Sequence, residues 1–313
     1  MVTLNVSAAG RVSLARGLPI TVTFADKKPE EVTVAEVKAA VAAKFPRLYP
    51  ARQKLTVKGE KKALDDDVTL EDAGITDGAE VTVKDLGPQV GWRTVFLVEY
   101  AGPLIIHPLF YYNPGFWYGA LVPHSLLQKT VYTLVLLHFI KRELETLFVH
   151  RFSHGTMPFF NIFKNSGHYW ALSGVALAAA IYSPTYDEYS RYMRGSIRSD
   201  PRFIGACVTL WLFAEVSNLH THLTLRSLRP AGTRQRAIPT GYGFDLVSFP
   251  NYFFEILSWV AIAAMTGSYA AWVFVGVSSY TMSIWALKKH KAYRRDFGNE
   301  YPKSRKAIIP FVI

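Results

Sequence analysis

A chain of 313 residues that is 50% apolar yet 19% charged, with a mean hydropathy of +0.12, is too apolar for an ordinary soluble protein and too charged for a bare bundle of lipid-facing helices. The net charge of +11 is unevenly placed: residues 1 to 90 hold 13 Lys+Arg against 13 Asp+Glu, and the remainder holds 22 against 11. The apolar content excludes a disordered chain, and a single cysteine, Cys207, excludes a disulfide scaffold. The first twenty residues lack the continuous apolar run of a signal peptide, which predicts an N-terminus left on the cytosolic side.

Residues 1 to 87 read as a small α+β head. Ile20 to Phe24 alternates like a half-buried strand, Ala51 to Val57 offers a second such run, and Ala79 to Val83 supplies a last one after the turn residues Asp77-Gly78. Between the first two lies a predicted helix, with Thr33 as N-cap, Glu36 three residues on, and Val34, Val37, Val41 and Phe45 as its apolar stripe before Pro46. With the stretch Leu64 to Ile75, this order resembles a ubiquitin-like β-grasp domain. No Gly-Gly tail follows, so conjugation chemistry is not implied; docking and a folded spacer both remain open as roles.

From Trp92 the character changes to long apolar runs separated by charged patches, and residues 91 to 313 are expected to form an all-α multi-pass bundle in membrane lipid. Candidate spans are roughly 94 to 112, 122 to 140, 168 to 184, 203 to 219, 249 to 266 and 269 to 287. From Leu246 to Leu287 the only formal charge is Glu255, and Thr266-Gly267-Ser268 predicts a tight turn between two helices. The tail from Lys288 carries eight Lys+Arg against Asp296 and Glu300, which by the positive-inside rule faces the cytosol. Two cytosolic termini require an even number of crossings, and six fits.

Ionisable groups within such runs are costly in lipid and so are site candidates. Glu99 lies in the first run. Lys141, Arg142, Glu143, Glu145, His150, Arg151 and His154 extend the second, where Glu143 and Glu145 are better explained as internal pairs on a helix end and Lys141, Arg142 and Arg151 are the stronger site candidates. Glu215, Asn218, His220 and His222 end the fourth, followed by Arg226, Arg229, Arg234 and Arg236, side chains suited to gripping phosphates. Asn251, Tyr252 and Glu255 open the fifth, and a phenol beside an amide and a carboxylate can act as a general acid. One HxxxH and one His-Thr-His are too few for a membrane di-iron site, so no metal is expected. No GxGxxG occurs, so a dinucleotide would be bound outside a Rossmann fold. Nucleic acid is not an expected partner.

These strings carry a resemblance. Lys141-Arg142-Glu143, Glu145 to Pro158, Asn161 to Asn165, Asn218-Leu-His220, Pro250-Asn251-Tyr252 and the tail Tyr301 to Phe311 are similar to the steroid 5α-reductase superfamily and, within it, to the very-long-chain trans-2-enoyl-CoA reductases. The resemblance implies NADPH as cofactor, bound by Arg151, Asn218, His222, Arg226, Arg229, Asn251, His290, Tyr293 and Arg305. It implies catalysis by Tyr252 as proton donor with Glu255 and Asn251 orienting it or the nicotinamide, and by Lys141 or Arg142 at the thioester oxygen. It also implies an endoplasmic-reticulum membrane setting beside other fatty-acid elongation enzymes. The chain departs from the steroid enzymes twice: Phe139 stands after His138 where they place a tyrosine, and His222 stands where they place an aspartate. Rival readings are a 3-oxo-Δ4-steroid reductase, an isoprenylcysteine-type membrane methyltransferase, and a non-enzymatic ubiquitin-like membrane adaptor.

Overall fold

The computed structural model describes residues 1–152, 155–229 and 237–313. The chain divides into two compact units: Met1–Trp92 with a short return segment ending at Asn161, and the remainder from Arg93. The His154, Arg234 and Arg236 of the sequence analysis lie outside the described residues.

The first unit is a four-stranded sheet crossed by one helix. Its strands are β1 (Val2–Ala8), β2 (Ile20–Phe24), β3 (Gln53–Val57) and β4 (Glu80–Asp85), in the order β2-β1-β4-β3. The central pair β1–β4 is parallel and both outer pairs are antiparallel, the β-grasp arrangement that the resemblance implied. Strand β1 is not among the strands expected above, although its Val2, Leu4 and Val6 alternate inward. Helix α1 (Val34–Lys44) starts as predicted: the Glu36 backbone N–H donates to Thr33 Oγ1 at 3.3 Å, and Glu36 Oε2 accepts from the Thr33 N–H at 2.9 Å. Val34, Val37 and Val41 of α1 pack on Leu4, Val6, Leu55, Val81 and Val83, each buried side chain contributing about 1.5–3 kcal/mol. A two-stranded ladder of β5 (Gln89–Gly91) and β6 (Thr156–Pro158) follows, so a segment 65 residues downstream in sequence returns to this unit.

The second unit is helical: α2 (Trp92–Tyr112), the short α3 (Pro114–Tyr118), α4 (Leu126–Phe148), α5 (Asn161–His168), α6 (Leu177–Ile181), α7 (Pro201–Ser227), α8 (Pro250–Thr266) and α9 (Tyr269–Phe297). Between α5 and α6, Tyr169–Ala176 winds as a π-helix. Here Trp170 lies across Gly102 of α2, where a Cβ would sit 2.1 Å from the indole, and its Nε1 donates to Val98 O at 3.0 Å. Only a glycine permits that approach. The predicted Thr266-Gly267-Ser268 turn joins α8 to α9, with Gly267 left-handed at φ 62°.

Among the described residues three helices are long and apolar enough to cross a membrane, Trp92–Tyr112, Pro201–Ser227 and Tyr269–Glu300, and they identify a membrane protein. The expected count of six is not confirmed by this measure. The other three runs do form helix, but α4 ends in a charged turn, the third is broken by the π-helix, and α8 has 17 residues, at the lower edge of the ~17–25 that span a bilayer.

Candidate active site

Helical periodicity aims the polar residues of three helices at one another. His138, Lys141, Arg142 and Glu145 form one face of α4; Glu215, Asn218 and His222 form one face of α7; Asn251 and Glu255 form one face of α8.

His138, 1% exposed, sits between two carboxylates: Nδ1 lies 2.7 Å from Glu215 Oε1 and Nε2 lies 3.2 Å from Glu255 Oε1. Lys141 Nζ is 2.8 Å from Glu215 Oε2 and 3.4 Å from Glu145 Oε1, and donates to Asn218 Oδ1. Arg142 donates through Nη1 to Glu145 Oε2 and through Nη2 to the Tyr100 hydroxyl at 2.9 Å. Asn218 Nδ2 in turn donates to Asn251 O at 2.8 Å and Glu255 Oε2 at 3.2 Å. His222 Nδ1 lies 3.1 Å from Glu145 Oε2, and its Nε2 accepts from Asn251 Nδ2 at 3.4 Å. Lys141, Arg142, Asn218, His222, Asn251 and Glu255 thus share one buried network. Three carboxylates there face Lys141, Arg142 and an imidazole whose two nitrogens both meet acceptors. Such a cluster is stable only because every charge has a partner.

Other expected residues lie elsewhere. Arg151 and Arg226 are exposed, and half-buried Arg229 donates through Nη1 to Arg151 O at 3.0 Å. His290, Tyr293 and Arg305 gather around the tail. Ser248 Oγ lies 2.6 Å from both His290 Nδ1 and the Tyr301 hydroxyl, Tyr293 stacks on Tyr301, and Arg305 Nη1 donates to Pro239 O at 2.9 Å. Tyr252 stands at the margin. Its phenol oxygen accepts from Lys289 Nζ at 3.1 Å, whereas Glu255 turns to His138 and Asn218, so the expected direct orientation of Tyr252 by Glu255 is replaced by a contact from α9. Residues three apart on a helix diverge by about 60°, enough here for Tyr252 to meet Lys289 of α9 while Glu255 meets His138 of α4 and Asn218 of α7.

Sequence reasoning missed Lys289 and the bridging role of His138. A histidine two residues before Ile140-Lys141-Arg142 on a helical face was a signal for the second; nothing local marks the first. Glu145, His150 and His222 each bring one ligand atom within 4.8 Å of the others, a spacing a metal ion accepts. His150, past the end of α4, is pushed well below the usual imidazole range by burial first and then by Arg142, which leaves it neutral. The same Glu145 carboxylate already carries Arg142 and Lys141, so a divalent ion would meet two fixed positive charges.

A nicotinamide fits this arrangement. Asn251 Oδ1 is a buried acceptor without a hydrogen-bond partner among the described residues, and a primary carboxamide donates to such an atom. Phe139, fully buried against Tyr100 and Trp259, offers no hydroxyl at the place of the steroid-type tyrosine.

Residues 155–313 match the family described as 3-oxo-5-alpha-steroid 4-dehydrogenase, and residues 20–85 match the family described as TECR, ubiquitin-like domain. The chain is 51% identical over 246 residues to a putative enoyl reductase of Schizosaccharomyces pombe, covering 78% of this chain and 80% of the relative. It is 41% identical over 288 residues to a very-long-chain enoyl-CoA reductase of Dictyostelium discoideum, with 90% and 92% covered. A human trans-2,3-enoyl-CoA reductase-like protein is 32% identical over 301 residues, with 92% and 79% covered.

Proposed function

The chain belongs to the 3-oxo-5-alpha-steroid 4-dehydrogenase family and to its enoyl-CoA reductases, and from that premise we propose that it reduces the 2,3-trans double bond of long- and very-long-chain enoyl-CoA with NADPH. The observation that carries this reading is the buried junction of α4, α7 and α8, where cations held by fixed carboxylates stand beside an open amide oxygen and one helical turn from a tyrosine.

NADPH, when bound, would supply the hydride that adds to C3 of the enoyl thioester. Asn251, Asn218 and His222 would hold the carboxamide end of the cofactor, and Arg151, Arg226 and Arg229 would hold its phosphates. His290, Tyr293 and Arg305 form a further wall. Lys141 or Arg142, already ordered by Glu215 and Glu145, donates to the thioester oxygen as negative charge develops there, which requires no reorganisation at the moment of reaction. Tyr252 delivers the proton to C2, and Glu255 keeps the junction registered through His138 and Asn218. Phe139 favours this substrate over a 3-oxo-Δ4-steroid, whose ketone needs a polarising hydroxyl. Residues 1–87 form the ubiquitin-like domain and 91–313 the catalytic domain. Both termini face the cytosol from the endoplasmic-reticulum membrane, where cationic helix ends draw the polyanions NADPH and CoA to one mouth beside other fatty-acid elongation enzymes.

The test is NADPH oxidation by the detergent-purified chain with a long-chain trans-2-enoyl-CoA, beside a Δ4-3-ketosteroid. Enoyl-CoA alone is expected to be turned over. Tyr252→Phe keeps NADPH binding and loses about 100-fold or more in turnover, within the range of a general acid. Full activity in that variant removes Tyr252 from the acid role, and turnover of the steroid alone removes the Phe139 argument.

A further inference from the structure

Tyr252 is positioned by a residue 37 places away in sequence. Lys289 of α9 donates from Nζ to the phenol oxygen at 3.1 Å, and the same ammonium lies 5.5 Å from the Tyr252 ring centroid and 5.7 Å from that of Phe249. The Phe249 and Tyr252 rings stack at 5.7 Å, so the phenol is fixed in direction by one neighbour and capped at its oxygen by the other. An ammonium has three donors and no acceptor. Lys289 therefore fills a lone pair of the phenol oxygen and leaves the phenol O–H free to point elsewhere.

We propose that Lys289 is the positioning residue for the proton step, holding the Tyr252 hydroxyl as a donor toward substrate and stabilising the phenolate that remains. The inference rests on the reading of Tyr252 as the acid. After hydride has added to C3, the electron pair of the enolate forms the C2–H bond with the Tyr252 proton. The O–H bond breaks, its electron pair stays on the phenolate oxygen, and the ammonium of Lys289 faces that new charge. Lys289 is exposed, so water reaches the phenolate and returns one proton per turnover. A charge-assisted hydrogen bond to a developing anion is stronger than one to the neutral phenol, so the contact favours the transition state over the ground state.

The same exposed cation could instead serve only to hold a CoA phosphate, and kinetics separate the two roles. Full-length Lys289→Met, Lys289→Gln, Lys289→Arg, Lys291→Met and Tyr252→Phe are compared on NADPH oxidation with a long-chain trans-2-enoyl-CoA. Lys289→Met and Lys289→Gln are expected to lower kcat about tenfold or more. They leave KM for enoyl-CoA and for NADPH within about twofold, because the interaction gains strength only in the transition state. The solvent deuterium isotope effect on kcat rises in both, Lys289→Arg recovers most of the rate, and Lys291→Met keeps the parent kcat. An unchanged kcat with a raised KM for enoyl-CoA overturns the proposal in favour of phosphate docking. An equal loss in Lys291→Met overturns it in favour of general surface charge. An inactive Tyr252→Phe with fully active Lys289 variants sinks this inference alone, whereas an active Tyr252→Phe sinks the reading beneath it.

Discussion

The two units of the chain treat charge in opposite ways. The head carries 26 Lys, Arg, Asp and Glu in its first 90 residues, and its core is valine and leucine, with Lys38 as the sole charged side chain among its buried polar groups. That lysine is tied at 2.6 Å to Asp66, whose carboxylate is exposed. The helical unit instead brings Lys141, Arg142, Glu145, Glu215 and Glu255 together at the junction of three helices. A surface pair contributes about 0–1 kcal/mol and can be lost without consequence, whereas a buried cluster is a net cost unless complete. The difference teaches how burial changes what a charge requires: the head's one buried ammonium reaches a carboxylate at the surface, whereas the other unit holds its charges only by pairing them with one another.

The contrast is most readily broken at Arg142. Arg142→Met leaves Glu145 with fewer partners in a buried site and removes a donor from the Tyr100 hydroxyl, and it is expected to cost about 3–5 kcal/mol as well as NADPH oxidation. Adding Glu145→Gln to that variant removes the uncompensated charge and restores part of the stability without restoring activity. Denaturant unfolding in detergent reads both. A loss under about 1 kcal/mol in the single variant would place Arg142 with the head's surface pairs rather than in a buried network.

This junction was legible in part. The stripes of α4, α7 and α8 gave Lys141, Arg142, Asn218, Asn251 and Glu255 as candidates, because a period of 3.6 residues announces which side chains share a face. Periodicity does not say which helix that face meets. The bridge from Glu215 through His138 to Glu255 depends on the packing of three helices, and the contact between Lys289 and Tyr252 depends on the hairpin that folds α9 back along α8. The head shows the same division. The Thr33 cap, the α1 stripe and the turn at Asp77-Gly78 are local and visible in the sequence, and so is the alternation of β1. The return of Thr156–Pro158 to β5 is a non-local pairing of three residues, too short to alternate visibly.

The second way to sharpen the comparison uses the head's uncharged core. Leu4 is fully buried on β1, the strand whose parallel and antiparallel partners build the centre of the sheet. Leu4→Ala is expected to destabilise the head by about 2–5 kcal/mol through lost burial and a cavity. Hydrogen exchange in the full chain measures it, as faster exchange at the amides of β1, β4 and α1. Protection unchanged from the parent would mean that the sheet does not depend on this core.

The smallest effect comes from the head's best-formed ion pair. Arg52 donates to Asp85 through Nε at 2.9 Å and Nη2 at 2.7 Å, and Asp85 also accepts from the Gly87 N–H at 2.8 Å. The Arg52 hydrogen bonds hold the Asp85 carboxyl below the usual carboxylate range, against the opposing effect of partial burial. A carboxylate whose ionisation is easier in the folded state stabilises that state above the ordinary carboxylate range, near pH 4, and loses the contribution as pH falls through its own lower value. Asp85→Asn should therefore cost the head up to about 1 kcal/mol at neutral pH, and the difference from the parent should vanish in acid. Hydrogen exchange of β4 amides at neutral pH and below pH 3 checks the sign. A cost that persists undiminished in acid would show that Asp85 acts through its turn at Gly87 and not through its charge, and the head would then owe nothing to ionic contacts at this edge.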